Sequence, residues 1–246
     1  QVYGVDINRS ALGIAAFSLY LAALELDTDP IDDLADLKFH RLIGRTLFEA
    51  DALDTLPEKV SARPFAAVVG NPPWTFDSTR STPRGRRGAA TPRPRRSPDQ
   101  LFLRRAAELA GGDGRVGMVM KASPFFSREE HAVEARNALL ETLKPTALVN
   151  LSALRRENLF PDAVSPALLF FARCALMPGP EQVLVGSAPW TPDFRRSGIV
   201  HIGPGELRPT PLARILQSPA VLKAAAFGGA RDVWLIDRLE REHLLL

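Results

Sequence analysis

The chain has 246 residues, 46% of them hydrophobic and 24% charged, with a formal net charge of +3, which is typical of an ordinary globular protein with one sizeable domain or a domain plus an appendage. Its single cysteine, Cys174, excludes a disulfide framework and a cysteine-based zinc site. No apolar run approaches the roughly 20 residues of a membrane span and no signal-peptide pattern is present, so we expect a cytoplasmic protein without a membrane partner.

The first 70 residues predict strands that alternate with a helix and with acidic residues. An apolar run at residues 2–6 ends in an acid, and Asn8 then caps a helix over Arg9–Leu26. This helix is apolar nearly all round, so we expect it to be largely buried. Further strands are predicted at residues 46–49 and 65–70. The alternation indicates an α/β fold with a parallel sheet.

The third strand runs directly into the tetrapeptide Asn71-Pro72-Pro73-Trp74. In doubly wound α/β folds, ligands bind where parallel strands end. An Asn amide oxygen there accepts a hydrogen bond from an amino group, the two prolines hold the backbone rigid, and the Trp ring offers a stacking face. These parts favour a receptor for a flat ring that carries an exocyclic amine, such as adenine. The alternative is a turn that happens to contain two prolines.

This tetrapeptide resembles the catalytic motif of the S-adenosylmethionine-dependent amino-group methyltransferases, above all the N6-adenine DNA methyltransferases of type IIG restriction–modification and phage-defence systems. The resemblance implies a Rossmann-like methyltransferase fold with a mostly parallel sheet and an antiparallel last strand. It also implies that Asn71, Pro72, Pro73 and Trp74 are catalytic. The amide of Asn71 and the carbonyl of Pro72 would accept the two N–H groups of a flipped-out adenine.

The same resemblance assigns four residues to the cofactor, S-adenosylmethionine. Asp6, at the end of the first predicted strand, stands where the family binds the ribose hydroxyls, and Asp51 stands where the family binds the adenine amine. Ile7 and Ala52 would line the apolar walls. An ionised carboxylate suits the first role because it accepts two hydroxyl hydrogen bonds at once.

An arginine- and proline-rich loop over residues 78–98 follows the tetrapeptide. It contains seven arginines and no acidic residue: Arg80, Arg84, Arg86, Arg87, Arg93, Arg95 and Arg96. One interpretation is a low-complexity insertion. The other is an arm that neutralises DNA phosphates beside the base pocket, and the position of the loop favours this DNA-binding interpretation.

The rest of the chain continues the alternation of helices and strands. Helices are predicted at residues 99–110 and 128–143, and strands at residues 116–120, 147–151, 166–172, 181–187 and 198–202. A turn is predicted at residues 189–192, between the last two strands. The final stretch, residues 219–246, is predicted to be helical with a break at Gly228-Gly229. The strands at 147–151 and 166–172 would supply the antiparallel finish of the fold.

We expect residues 1–175 to form the catalytic domain and residues 176–246 to form an extension and helical connector. The resemblance implies that the family's first strand, with its glycine-rich turn, and a target-recognition domain lie outside this chain, together with a possible fused or partner nuclease. The expected partner is double-stranded DNA. Two alternatives stay open: methylation of RNA or of a protein glutamine, and a fragment that binds nucleic acid without catalysis.

Overall fold

A computed structural model describes residues 2–27, 38–74, 98–157, 165–174 and 181–242 of the chain. These residues form two compact units, Gln1–Arg63 and Pro64–Leu246. The predicted boundary between a catalytic domain and an extension, after residue 175, stays a prediction.

The first unit is built on two parallel strands. Its elements are β1 (Gly4–Asp6), α1 (Arg9–Leu26), β2 (Leu47–Glu49) and α2 (Glu58–Ser61), and β1 pairs with β2 so that Asp6 lies opposite Glu49. Asn8 caps α1, because its Oδ1 accepts a hydrogen bond from the backbone N–H of Ser10 at 2.9 Å. The predicted strand, cap and helix are therefore confirmed.

Helix α1 is not largely buried, so that prediction is wrong. Only Leu12 and Ala16 are buried, whereas Ile14, Phe17 and Leu26 are 68%, 62% and 82% exposed. The reason is that a two-stranded sheet covers only one side of a helix. Among the described helices, α1 alone also has the length and composition of a membrane span, a test that core helices of soluble proteins also pass. The statement that no apolar stretch is long enough is therefore wrong for this helix.

The second unit contains one six-stranded sheet. Its strands are β3 (Ala67–Gly70), β4 (Arg115–Lys121), β5 (Pro145–Asn150), β6 (Ala167–Arg173), β7 (Gln182–Ser187) and β8 (Leu207–Pro211), in the order β3-β4-β6-β5-β7-β8. Strand β3 runs parallel to β4, and β5 parallel to β7. Strand β6 lies antiparallel between β4 and β5, and β8 is antiparallel to β7. The predicted mixture of parallel strands with an antiparallel strand is confirmed.

The helices of the second unit pack on this sheet or on one another. They are α3 (Pro98–Ala110), α4 (Ser123–Phe126), α5 (Glu130–Leu143), α6 (Pro192–Ser197), α7 (Leu212–Gln217), α8 (Pro219–Phe227) and α9 (Ala230–Arg241), and a 3-10 helix spans Ser152–Glu157. The main core includes Leu103, Met120, Leu140, Phe170 and Leu222, all 0% exposed. This core holds the strand ends of the second unit in place. The break predicted at Gly228-Gly229 is confirmed, because it separates α8 from α9.

The region after β7 differs from its prediction. Residues 198–202 do not form a strand, and the segment before them, expected to be a turn, begins α6. Thr191 caps α6 by accepting a hydrogen bond from the N–H of Phe194 at 3.1 Å, and Pro192 stands at the first helical position, where its missing N–H costs nothing. The strand that follows β7 in the chain is β8, which begins at Leu207 and not at residue 198. Its Pro209 and Pro211 are tolerated because β8 is an edge strand.

Candidate active site

The residues assigned to the cofactor lie at one edge of the first unit. Asp6 ends β1, and the N–H of Ala50 donates to the carbonyl oxygen of Asp6 at 3.1 Å, which holds the carboxyl ends of β1 and β2 side by side. Asp51 directly follows Ala50. The structure therefore brings Asp6 and Asp51 to the same edge of the parallel pair, as expected for residues at the carboxyl ends of neighbouring strands.

The backbone orients both carboxylates in the same way. Oδ1 of Asp6 accepts a hydrogen bond from the N–H of Asn8 at 2.6 Å, and Oδ1 of Asp51 accepts one from the N–H of Leu53 at 3.0 Å. Oδ2 of each side chain makes no hydrogen bond to any other residue that the structure describes. Each carboxylate is thus fixed through one oxygen, and its second oxygen is left to accept from a hydroxyl or an amine.

Apolar atoms stand beside these carboxylates. Ile7 is 44% exposed, and Ala52 is half-buried in the turn after β2. Side chains of this kind can cover one side of a flat ligand, and they leave the polar contacts to Asp6 and Asp51. The four residues assigned to the cofactor are therefore neighbours of two strand ends within one unit.

The tetrapeptide lies in the second unit, at the carboxyl end of β3. Gly70, the last residue of β3, pairs with Met118 in β4, and a Cβ added to Gly70 would lie 3.2 Å from the Met118 sulfur. Asn71 follows and is exposed, whereas Pro72 is buried. The Asn71 amide makes no hydrogen bond to another described residue. The backbone at the end of this parallel strand thus presents an acceptor that no described residue uses.

Packing and a hydrogen bond hold the Trp74 ring in one orientation. Its ring is half-buried and packs on a second apolar cluster, which includes Leu151 and Phe194. Its Nε1 donates to the carbonyl oxygen of Val119 in β4 at 3.4 Å. The ring is therefore oriented by β4. Its role as a stacking face stays a prediction.

Two acidic residues near these strand ends were missed by the sequence analysis. Glu49 is exposed and lies opposite Asp6 in the register of β1 and β2. Asp99 is 1% exposed at the start of α3, and its Oδ2 accepts from the N–H of Lys121 at 3.0 Å, which ties α3 to the end of β4. An acid at a predicted strand end or helix start was the available signal for both residues.

The predicted DNA-binding arginines, Arg80, Arg84, Arg86, Arg87, Arg93, Arg95 and Arg96, lie outside the described residues. Within the described ranges, no group of three or more His, Cys, Asp or Glu side chains is arranged to hold a metal ion.

The chain is similar to known proteins of restriction-modification systems. The family model for the Eco57I restriction-modification methylase matches residues 1–156. No curated protein sequence matches the chain. Among solved structures, the methyltransferase subunit of a type I restriction-modification system from Streptococcus thermophilus is 16% identical with a TM-score of 0.52, and the match covers 87% of this chain and 45% of that one.

Two further solved structures are similar to the chain. The ATP-dependent type ISP restriction-modification enzyme LlaBIII bound to DNA is 12% identical with a TM-score of 0.52, over 75% of this chain and 15% of LlaBIII. The type IIG restriction endonuclease BpuSI is 18% identical with a TM-score of 0.48, over 73% of this chain and 23% of BpuSI. The chain spans less than half the length of each of these three structures. At such identities the two matches with TM-scores above 0.5 show that this chain shares their fold, and nothing more.

Proposed function

The chain belongs to the Eco57I restriction-modification methylase family, and on that premise we propose that it is a site-specific DNA methyltransferase. It transfers a methyl group from S-adenosylmethionine to N6 of an adenine that has been flipped out of duplex DNA. The observation that carries this proposal is the exposed Asn71 amide, held at the end of β3 next to the buried Pro72.

Asn71 and Pro72 activate the adenine amine. Its lone pair is delocalised into the ring, so the free amine is a poor nucleophile. When Oδ1 of Asn71 and the carbonyl oxygen of Pro72 accept its two N–H groups, the nitrogen moves toward tetrahedral geometry and its lone pair becomes available for attack on the methyl group. The N–C bond would form as the S–C bond of the methyl donor breaks, the donor would leave as a neutral thioether that keeps the electron pair, and the methylated nitrogen would lose one proton to solvent. No metal and no covalent enzyme intermediate are needed for this step.

Trp74 offsets part of the cost of flipping the base. Extruding a base costs a few kcal/mol, and stacking on an aromatic ring returns about 1–3 kcal/mol. The hydrogen bond from Trp74 to Val119 supports this role, because the ring is already oriented before the base arrives. A ring that is fixed in advance loses less conformational entropy on binding.

Asp6, Asp51, Ile7 and Ala52 bind the cofactor, which supplies the methyl group. The second oxygens of Asp6 and Asp51 would accept hydrogen bonds from the ribose hydroxyls and the adenine amine respectively, and Ile7 and Ala52 would cover the apolar faces. The donor and acceptor chemistry of the edge fits this ligand, since two oriented carboxylates stand next to apolar side chains.

Duplex DNA is the partner that this proposal requires. The seven arginines of residues 78–98 neutralise DNA phosphates, and each such contact steepens the log–log salt dependence of binding by about 0.9. A nuclease and a target-recognition domain are partners or fused modules of the complete system. DNA as the substrate also implies a cytoplasmic location.

Transfer of labelled methyl groups tests the proposal. The protein is incubated with labelled S-adenosylmethionine and, separately, with duplex DNA, RNA and protein. Label is expected in DNA as N6-methyladenine. Asn71→Ala should abolish transfer while the cofactor dissociation constant stays within a few-fold, whereas Gln182→Ala, which truncates an exposed amide at the start of β7, should leave the rate unchanged.

Other outcomes would overturn particular parts of the proposal. Label in RNA or in glutamine would keep the Asn71 chemistry and replace the substrate. Substantial transfer by Asn71→Ala to DNA would remove Asn71 from the mechanism. No label in any acceptor would favour a protein that binds nucleic acid without catalysis.

A further inference from the structure

The first unit contains a cationic groove that the proposed function does not use. It has a volume of about 570 Å³ and is lined by Tyr3, His40, Arg41, Leu42, Arg45, Thr46, Lys59 and Arg63. Five of these eight residues are basic or histidine, and none is acidic. We call this set of eight residues the cationic groove.

The groove lies at the opposite end of the parallel pair from the proposed cofactor site. Tyr3 immediately precedes β1 and Thr46 immediately precedes β2, whereas Asp6 and Asp51 lie at or beyond the carboxyl ends of these strands. Three residues of strand separate the two ends, which corresponds to about 10 Å. The groove is therefore a separate surface and not a continuation of the edge that carries Asp6 and Asp51.

The segment that carries His40 and Arg41 is fixed by hydrogen bonds. The hydroxyl of Tyr20 donates to the carbonyl oxygen of His40 at 2.9 Å, and the N–H of Leu42 donates to that hydroxyl at 3.4 Å. The Tyr20 ring also packs on Phe39 with its centroid 4.4 Å away. A ligand that binds here therefore meets a segment whose backbone is already ordered, which lowers the entropy cost of binding.

A tight turn positions Arg45 in the same way. The N–H groups of Thr46 and Leu47 both donate to the carbonyl oxygen of Leu42, at 2.9 and 3.1 Å. Gly44 adopts a φ of 82° within this turn, a left-handed conformation that glycine tolerates without strain. The turn brings Arg45 to the groove beside Arg41.

Within the part of the chain that the structure describes, the positive charge of the groove has no acidic partner. Arg41, Arg45, Lys59 and Arg63 are all exposed, and none of them forms an ion pair with another residue that the structure describes. Elsewhere in the described chain, arginines do pair with carboxylates, as Arg105 does with Glu108 and Arg238 with Glu242. The groove thus concentrates the four positive charges of these side chains, and an anion that binds there would neutralise them.

We propose that the cationic groove binds the phosphodiester backbone of duplex DNA, as a contact separate from the base pocket. Arginine forks match phosphate oxygens with two parallel hydrogen bonds, and Lys59 and the Thr46 hydroxyl belong to the side-chain types that also contact phosphates. The choice of DNA over RNA rests on the proposed function. The recognition of nucleic-acid phosphates rests on the groove alone.

Salt-dependent binding of an adenine-free duplex tests this inference. A labelled dG·dC duplex cannot accept a methyl group at adenine, so its anisotropy reports backbone binding even if the protein proves to transfer no methyl groups. The double variant Arg41→Gln/Arg45→Gln should reduce the log–log salt slope by about 1.8, since each lost phosphate contact removes about 0.9. Lys59→Gln/Arg63→Gln should also reduce the salt slope. Agreement between two double variants in different segments of the groove would show that the fall does not come from a local folding defect in one of them.

Arg115→Gln/Arg173→Gln is the matched control. It removes two exposed arginines that lie opposite each other on β4 and β6, so it changes the net charge by the same amount, and it should leave the slope unchanged. An unchanged slope in both groove variants would overturn the inference, as would an equal fall in the control. A groove variant that loses binding to phosphatidylglycerol vesicles but not to the duplex would reassign the groove to a membrane surface.

Discussion

Helices α1 and α8 are both apolar nearly all round, but the structure buries them to very different extents. On α8, Val221, Leu222, Ala225 and Ala226 are at most 1% exposed, and the helix packs on β5 and β7 of the six-stranded sheet. On α1, only Leu12 and Ala16 are buried. The difference shows that the burial of an apolar helix depends on the size of the sheet behind it as well as on its own sequence.

The same contrast separates the proposed functional residues of the first unit from those of the second. In the first unit, the buried apolar cluster comprises only Leu12, Ala16 and Leu47, so the carboxylates depend mainly on backbone hydrogen bonds at the strand ends. In the second unit, the tetrapeptide follows a strand of a sheet with an extensive core. Substitutions should therefore act through stability mainly in the second unit and through ligand binding mainly in the first.

Truncation of matched leucines gives the largest expected difference between the two helices. Leu222→Ala on α8 removes a side chain that is 0% exposed and should lower the free energy of unfolding by about 2–5 kcal/mol. Leu21→Ala on α1 removes one that is 45% exposed and should change it by less than about 0.5 kcal/mol. Urea unfolding followed by circular dichroism, which reports on the helices of both units, measures both values.

A large loss of stability in Leu21→Ala would contradict this comparison. It would mean that the exposed face of α1 is covered in solution. Leu12→Ala serves as the positive control within α1, since Leu12 is 2% exposed and its truncation should be costly.

Removal of the Asp6 carboxylate gives the next largest effect. Asp6→Ala should weaken binding of S-adenosylmethionine by roughly ten-fold or more, because a hydrogen bond to a charged group contributes about 1.5–3 kcal/mol. Glu58→Gln, an exposed acid on α2 of the same unit, should leave the dissociation constant unchanged. Isothermal titration calorimetry gives the constants directly.

Glu49→Gln sharpens the same measurement. Glu49 lies opposite Asp6, so it is the alternative partner for a ribose hydroxyl. If Glu49→Gln weakened binding while Asp6→Ala did not, the cofactor role would move from Asp6 to Glu49.

Local signals predicted the elements that carry the proposed site. Asn8 identified the start of α1, and the apolar run before Asn71 identified β3. Thr191 and Pro192 carried a capping signal that was interpreted as a turn, so α6 was missed. Strand β8 was missed because prolines count against a strand, and only the position of β8 at the sheet edge makes Pro209 and Pro211 acceptable.

Local patterns could not predict that α1 is exposed. They also could not predict which residues line the cationic groove, or that its basic side chains form no ion pair with a described residue. Both depend on which residues distant in sequence pack together. The groove combines Tyr3 with residues 40–46 and 59–63, and no motif links these three segments. The hydrogen bond from Trp74 to Val119 is of the same kind, because it joins residues 45 positions apart.

Labelling of Cys174 gives the smallest effect and tests whether the two units loosen independently. Cys174 is half-buried at the end of β6, and burial raises the pKa of its thiol, so the reactive thiolate is scarcer in the folded protein than in the unfolded chain. Labelling by an aromatic disulfide at pH 8 should therefore be slow. The contribution of the protonated Cys174 thiol to the stability of the folded protein is complete below the pKa of the thiol in the unfolded chain, and it is lost as pH rises through the pKa of the thiol in the folded protein. Leu222→Ala should accelerate labelling and Leu12→Ala should not. Equal acceleration by both variants would mean that the two units open as one.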